Sequence, residues 1–274
     1  MASDFLRSLR EHWPEAVIEG ASLAIFMLSA IGFTILLEHP ASPLRAALPS
    51  DLLRRFLMGC AMGATLIGLV YNRFGQRSGA HFNPALTLTY YRLGKITRAD
   101  GLLYGAAHFS GAALGVLLLS VALPTFASDP HVRHAATLPG SHGVPGAFAG
   151  EVLIAFTQMS IVLGISNSRR WHAWTGIFAA LGVALYISFE APFSGMSMNP
   201  ARTLGSALGE QNYASLWLYF LAPVIGMFLA AEVYVRRAGL ARVYCAKFNH
   251  AGSGPCLFRC DYPALIRDEW DRVG

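Results

Sequence analysis

The sequence predicts an all-α membrane protein of six transmembrane helices plus two re-entrant half-helices, laid out as an inverted three-span repeat. Three observations predict it. Of 274 residues, 54% are hydrophobic and only 14% are charged, against about 25% charged in soluble domains. Too little polar surface remains to coat a soluble fold. The apolar residues also gather into six stretches, roughly 16–37, 52–71, 100–122, 146–166, 172–189 and 214–235. Each comes near the about 20 residues of helix that cross a hydrocarbon core. Finally, two eleven-residue segments, Ser78–Leu88 and Ser194–Leu204, agree at seven positions without a gap, 116 residues apart.

The six stretches are helices because every backbone N–H and C=O in lipid must find its partner internally, and the period-2 alternation of a membrane barrel is absent. The first is longer than a signal-peptide core and is followed by more of its kind, which argues against a cleaved leader. His39-Pro40 and Ser42-Pro43 break the chain after it. The third stretch carries Gly101, Gly105, Gly111 and Gly115, small residues at helical spacing that let helices cross closely. The link after it, about 123–145, is the longest and holds His131, His134 and His142, whose irregular spacing suits solvated loop histidines better than a metal site.

Lys and Arg set the expected orientation. With the amino terminus cytoplasmic, sixteen of the 21 basic residues fall inside, among them Arg73, Arg77, Arg169, Arg170, Arg236 and Arg237. Both termini are then inside, in the cell (plasma or inner) membrane. The division is 1–15 as an amino-terminal segment, 16–237 as the channel domain (halves 16–122 and 146–237), and 238–274 as a cytoplasmic tail. The net charge of +5 is spread between apolar stretches and over the tail rather than along a basic stripe, so nucleic acid is not an expected partner.

The repeated segments explain each other. Asn is a strong helix N-cap and Pro suits the first helical position, so Asn83-Pro84-Ala85 and Asn199-Pro200-Ala201 each start a helix. The helical run after each is about eight to ten residues, enough for half a bilayer at about 1.5 Å per residue. Three spans per half force opposite orientations. The two half-helices therefore enter from opposite sides and meet amino terminus to amino terminus near the midplane, with Ala85 and Ala201 small enough to let them touch. Each asparagine oxygen caps its helix, which leaves the NH₂ to donate to a passing molecule. Arg202, one turn into the second half-helix, is an ionised group inside the membrane and so a functional candidate.

These paired Ser-Gly-x-x-x-Asn-Pro-Ala segments, with Arg after the second, resemble the aquaporin, or major intrinsic protein, family over about residues 15–237. The resemblance implies a passive channel for water and small uncharged solutes, a homotetramer with one pore per subunit, no cofactor and no enzymatic activity. It places Arg202 in a selectivity filter with Ile187, Met196 and Met62 (or Gly63). The second span's member is ambiguous because Tyr71-Asn72-Arg73-Phe74-Gly75 carries one residue more than the family pattern. Glu19 and Glu151 resemble buried glutamates that brace the loops before each Asn-Pro-Ala, with a snorkelling surface position as the alternative for Glu19. His81 reads as a loop-bracing hydrogen-bonder.

A glycerol facilitator is the alternative within the family. Such channels commonly carry Asp after the filter Arg, where this chain has Thr203, and Tyr219-Phe220 before Pro223 is nearer the water-selective branch. Ile187, where strict water channels have His, points the other way. The tail has no counterpart in this pattern: Cys245, His250, Cys256 and Cys260 gather three thiols and an imidazole within sixteen residues. That set suits tetrahedral zinc, although the spacing is not that of a standard finger. Reduced or lipidated cysteines are the competing readings, and a membrane-bound metal-binding protein acting through this tail is the alternative of a different class.

Overall fold

The computed structural model describes residues 2–250 and 256–267. Eight helices build it: α1 (Ala2–Glu38), α2 (Asp51–Tyr71), α3 (Pro84–Arg92), α4 (Arg98–Ala122), α5 (Gly143–Ser166), α6 (Thr175–Phe189), α7 (Pro200–Glu210) and α8 (Leu216–Ala238). Six of the helical stretches are long and apolar enough to span a membrane, and α3 and α7 are the half-length pieces. Among the described residues there is no strand. The chain is a multi-pass integral membrane protein. Large side chains such as Leu117, Leu153, Leu181, Leu185 and Leu229 stand exposed along its sides, the pattern of a surface bathed in lipid rather than water.

Close crossings of helix backbone hold the bundle together. A Cβ on Gly111 would lie 2.0 Å from the Gly20 carbonyl oxygen, and one on Gly115 would lie 2.5 Å from that of Ala24, so α1 and α4 touch main chain to main chain. In the second half α5 and α8 do the same, with Gly226 against the Val152 carbonyl. The halves join where Gly59 and Gly63 of α2 seat on the Ala184 and Ala180 carbonyls of α6. Without a hydrophobic drive between helices in lipid, such close packing is the main source of attraction. Gly101 and Gly105 take no part in a tight crossing: a Cβ on Gly101 would touch only Thr87, at 3.9 Å, and nothing lies within 4 Å of one on Gly105.

The 1–15 segment is not separate from the first span. Helix α1 is continuous from Ala2, because its first turns have polar partners: Ser8 and His12 both bond Asp100 near the start of α4, the histidine at 2.6 Å, and Glu15 pairs with Arg77 at 2.7 Å. Alternation of the spans puts the links 72–83, 93–97 and 167–174 and the segment after α8 at one end of the bundle. That end is rich in arginine, and we call it the basic end.

Gly111→Val forces a branched side chain into the Gly20 carbonyl, and overpacking of this kind costs about 1–3 kcal/mol or more. The expected outcome is a Tm several degrees lower in detergent. Gly105→Ala, with open space around it, should leave Tm unchanged.

Candidate functional site

The site begins in the two loops that precede the half-helices, which share one unusual backbone. Gly79, Ala80 and Phe82 have positive φ (103°, 61° and 48°), and so do Gly195, Met196 and Met198 (78°, 52° and 52°), position for position along the repeat. Residues with a Cβ occupy this region at a cost of about 1–3 kcal/mol each unless their surroundings enforce it. Two buried carboxylates enforce it here. Glu19 accepts the N–H groups of His81 and Phe82 at 3.1 and 2.6 Å, and His108 Nε2 lies 2.8 Å from it. Glu151 accepts those of Ser197 and Met198, both at 2.7 Å, and the Ser194 hydroxyl at 2.7 Å. Both side chains are fully buried, so Glu19 does not snorkel to a surface.

A second pair of braces escaped the sequence reading. The Tyr104 hydroxyl donates to the Ser78 carbonyl at 2.7 Å, and Tyr219 donates to the Ser194 carbonyl at 2.6 Å. Tyr219 therefore supports a loop and does not line the passage. The signal that could have found Tyr104 is its matching place in the first half of the repeat.

Each half-helix is capped by its own asparagine and tied to the other. Asn83 Oδ1 accepts from Ala85 N–H at 2.9 Å, and Asn199 Oδ1 accepts from Ala201 and Arg202 at 3.0 and 3.2 Å. In return Asn83 Nδ2 donates to the Met198 carbonyl at 2.7 Å and Asn199 Nδ2 to the Phe82 carbonyl at 2.8 Å. The NH₂ groups are thus not wholly free, as the sequence suggested. One hydrogen of each spans the join between the halves, and one remains for the passage. Pro84 and Pro200 occupy the first helical turn, where a missing N–H costs nothing, and Ala85 and Ala201 are buried at the join.

A cavity of about 500 Å³ runs past both asparagines. Ile187, Met196, Met62 and Arg202 line it. Gly63 does not, since it faces Ala180 of α6. The extra residue of the 71–75 stretch falls where Asn72 leaves the helix and caps the following turn, and of the two candidates Met62 is the one on the cavity wall. Arg55, Met58 and Leu66 share its lining face on α2 at helical spacing, and Met58, one turn from Met62 on the side of Ile187, was missed for want of a motif. Arg202 reaches Ser206 Oγ at 3.5 Å and, among the described residues, makes no ion pair. Glu190, the nearest acid in sequence, is not its partner.

The histidines of the 123–145 link are not all solvated. His131 is exposed beside Asp129, and His142 is exposed with its ring stacked on Phe193 at 4.7 Å, but His134 is buried against Gly209, 3.7 Å from Glu210. Packing against the second loop explains this: Thr137 bonds Thr203 at 2.8 Å, and the Gly140 N–H reaches the Phe193 carbonyl at 2.9 Å.

At the basic end the tail folds back onto the first loop. His81 Nε2 donates to the Ala246 carbonyl at 3.0 Å, with Nδ1 on Thr87 at 2.8 Å, and its ring lies between Tyr90 and Phe258. The ligand atoms of Cys245, His250, Cys256 and Cys260 all fall within 4.8 Å of one another. Hydrogen bonds from Cys245 and Cys256 hold the Cys260 thiol well below its ordinary range, while the bonds to Cys256 and Cys260 push Cys245 up.

Fold and site together define a membrane protein of the inverted-repeat kind, in which two half-helices meet end to end beside a lined passage. The chain belongs to the major intrinsic protein family, whose description, Major intrinsic protein, matches residues 8–234. It is 30% identical to Aquaporin-4 of Bos taurus over 81% of this chain and 66% of that one. It is 34% identical to Nodulin-26 of Glycine max over 63% of this chain and 62% of that one. The chain thus spans just under two thirds of the curated relatives it matches. It shares its fold with the aquaglyceroporin from Plasmodium falciparum, at a TM-score of 0.66 and 18% identity, covering 81% of this chain and 94% of that one.

Glu151→Gln retains one acceptor but sets an amide N–H against a loop N–H. Losing a buried partner costs about 1–3 kcal/mol, so Tm in detergent should fall by several degrees, and Glu19→Gln should behave alike. An unchanged Tm for both would remove the carboxylates as braces.

Proposed function

We propose that this chain is a passive channel for water and small uncharged solutes that turns away protons and other ions. One observation carries the reading: the cavity passes between Asn83 and Asn199, at the amino termini of two half-helices, and then past Arg202. The two remaining amide hydrogens donate to a molecule in the passage, whose own hydrogens then point outward in both directions, which breaks a continuous proton wire. Two helix amino termini and a guanidinium add a positive field that repels cations. Family membership supports a channel rather than an enzyme, and transport of this kind needs no cofactor.

Orientation and assembly belong to the same proposal. The basic end faces the cytoplasm by the positive-inside rule, with both termini on that side and 123–145 outside, in the plasma or inner membrane. Four copies assemble with one pore each, as the family resemblance implies. Residues 16–237 carry transport, and the tail after 238 is an appendage.

The filter assignment supports a pore wider in chemistry than water alone. Arg202 and loop carbonyls supply one polar wall; Ile187, Met196, Met62 and Met58 supply an apolar one. A solute with a polar and a greasy side, such as glycerol or urea, fits both, whereas water forfeits hydrogen bonds along the apolar wall. Thr203, read against the facilitators' Asp, is buried and bonded to Thr137 and Ser197, so its chemistry bears on loop packing before it bears on selectivity.

Stopped-flow swelling of proteoliposomes with water, glycerol and urea gradients tests the reading. Wild type should pass water and at least one of the two solutes. Ile187→His should reduce glycerol flux more than water flux. Arg202→Val should keep water flux and admit protons, detected as faster dissipation of a pH gradient. A folded, water-conducting Arg202→Val protein as proton-tight as wild type would take that role from Arg202.

A further inference from the structure

We propose that Cys245, His250, Cys256 and Cys260 bind one zinc ion, and that the zinc-held tail is a gate on the basic mouth of the passage, narrowing it while the metal is bound. The inference rests on the channel reading and adds a control element to it.

The ligand geometry comes first. Cys245 Sγ and Cys256 Sγ are 3.6 Å apart, and Cys260 Sγ lies 3.9 Å from His250 Nε2. Zinc–sulfur bonds of about 2.3 Å in a tetrahedron put neighbouring sulfurs about 3.8 Å apart. Three thiols and an imidazole make a closed set with no position left for water, the composition of a structural site. Its softness selects zinc over calcium or magnesium. None of the four cysteines is in a disulfide. The His250 ring is further fixed by stacking on Tyr262 at 4.0 Å.

The second observation is what the ligands enclose. Phe248 stands between Cys245 and His250 in the chain and lines the same cavity that holds Asn83, Asn199 and Arg202. Its N–H donates to the Gly79 carbonyl at 3.1 Å. Phe258, two residues after Cys256, covers Gly79 so closely that a Cβ there would lie 2.6 Å from its ring. The zinc ligands therefore flank the two aromatic residues set against the first loop and the basic mouth.

The third is how irregular the segment is. Between the short helical turns Leu240–Arg242 and Tyr262–Arg267 the described residues form no helix or strand. Separate bonds tie it to the bundle: Tyr244 N–H to Asn167, His81 Nε2 to the Ala246 carbonyl, Phe248 N–H to the Gly79 carbonyl, Arg259 N–H to the Lys95 carbonyl, and Lys95 to Asp261 at 2.7 Å. Its residues 243–249 and Phe258 are packed against the bundle, but among the described residues no helix or strand joins the two stretches that carry the ligands, and a metal supplies that cross-link. Removing zinc unties 245–250 from 256–260 and, with that, loosens Phe248.

The test uses the full chain, purified without chelator. Elemental analysis should find about one zinc per chain, falling several-fold in Cys256→Ser/Cys260→Ser, and cobalt(II) in place of zinc should give the intense visible bands of a tetrahedral thiolate site. In proteoliposomes a membrane-permeant chelator should raise water permeability about threefold or more, as expected when an apolar constriction is lifted, and added zinc should reverse it. Phe248→Ala should conduct at the chelated rate with zinc still bound, which keeps the gate testable if the cysteine variants fail to fold. A chain that carries no zinc, or a Cys245–Cys256 disulfide found under non-reducing mass analysis, overturns the site. Equal, substantial water flux with and without zinc overturns the gate and leaves the channel reading intact. No flux in any form, Phe248→Ala included, overturns the channel reading instead.

Discussion

Two helix amino termini that meet in the middle of a membrane impose the constraint on which the rest of this structure depends. Each arrives with N–H groups that lack intrahelical partners, and in hydrocarbon every unsatisfied polar group costs several kcal/mol. The protein closes most of this account itself. Asparagine oxygens take the first helical N–H groups, the asparagine amides reach across to the opposite loop, and Glu19 and Glu151 take the loop N–H groups that remain. Positive φ at three residues of each loop is what this arrangement demands of the backbone. What stays open is one amide hydrogen per asparagine, the donor that the proposed function assigns to a molecule in the passage.

Symmetry satisfies the backbone, and departures from symmetry give direction. Leu86 and Arg202 occupy equivalent places one turn into their half-helices, and both line the cavity. Only one side of the midplane therefore carries a fixed charge in the wall. Apolar residues of α2 and α6 line the same cavity. A wall of mixed character has to be assembled from both halves, which is why the α2–α6 contact, made through Gly59 and Gly63, matters to the site as well as to the fold.

The sequence made the spans and the half-helices legible because their causes are local and repetitive: length, cap chemistry and a motif that occurs twice. It was less informative wherever the cause was a partner far away in the chain. The start of α1 at Ala2 depends on Asp100. The choice of Met62 over Gly63 depends on the carbonyl of Ala180. His134 is buried because Gly209 leaves room for it. The docking of the tail was invisible for a related reason: it uses main-chain groups, such as the Phe248 N–H and the Ala246 carbonyl, and these leave no trace in residue type. The four ligand residues were readable as a set, but the place where they sit was not.

Each glycine at the entrance to a half-helix lies under a segment from outside the repeat. Thr137 and Leu138 cover Gly195, and Phe258 covers Gly79. The covers differ in origin, one a link between the halves and the other a terminal extension, so either mouth can be altered without disturbing the join at the midplane. The extension also has a kinetic consequence. A passage coupled to no energy source cannot be made one-way, and a cover at one mouth must scale influx and efflux by the same factor. As the proposed gate, the tail would set how long a cell takes to reach osmotic balance, without influence on where that balance lies.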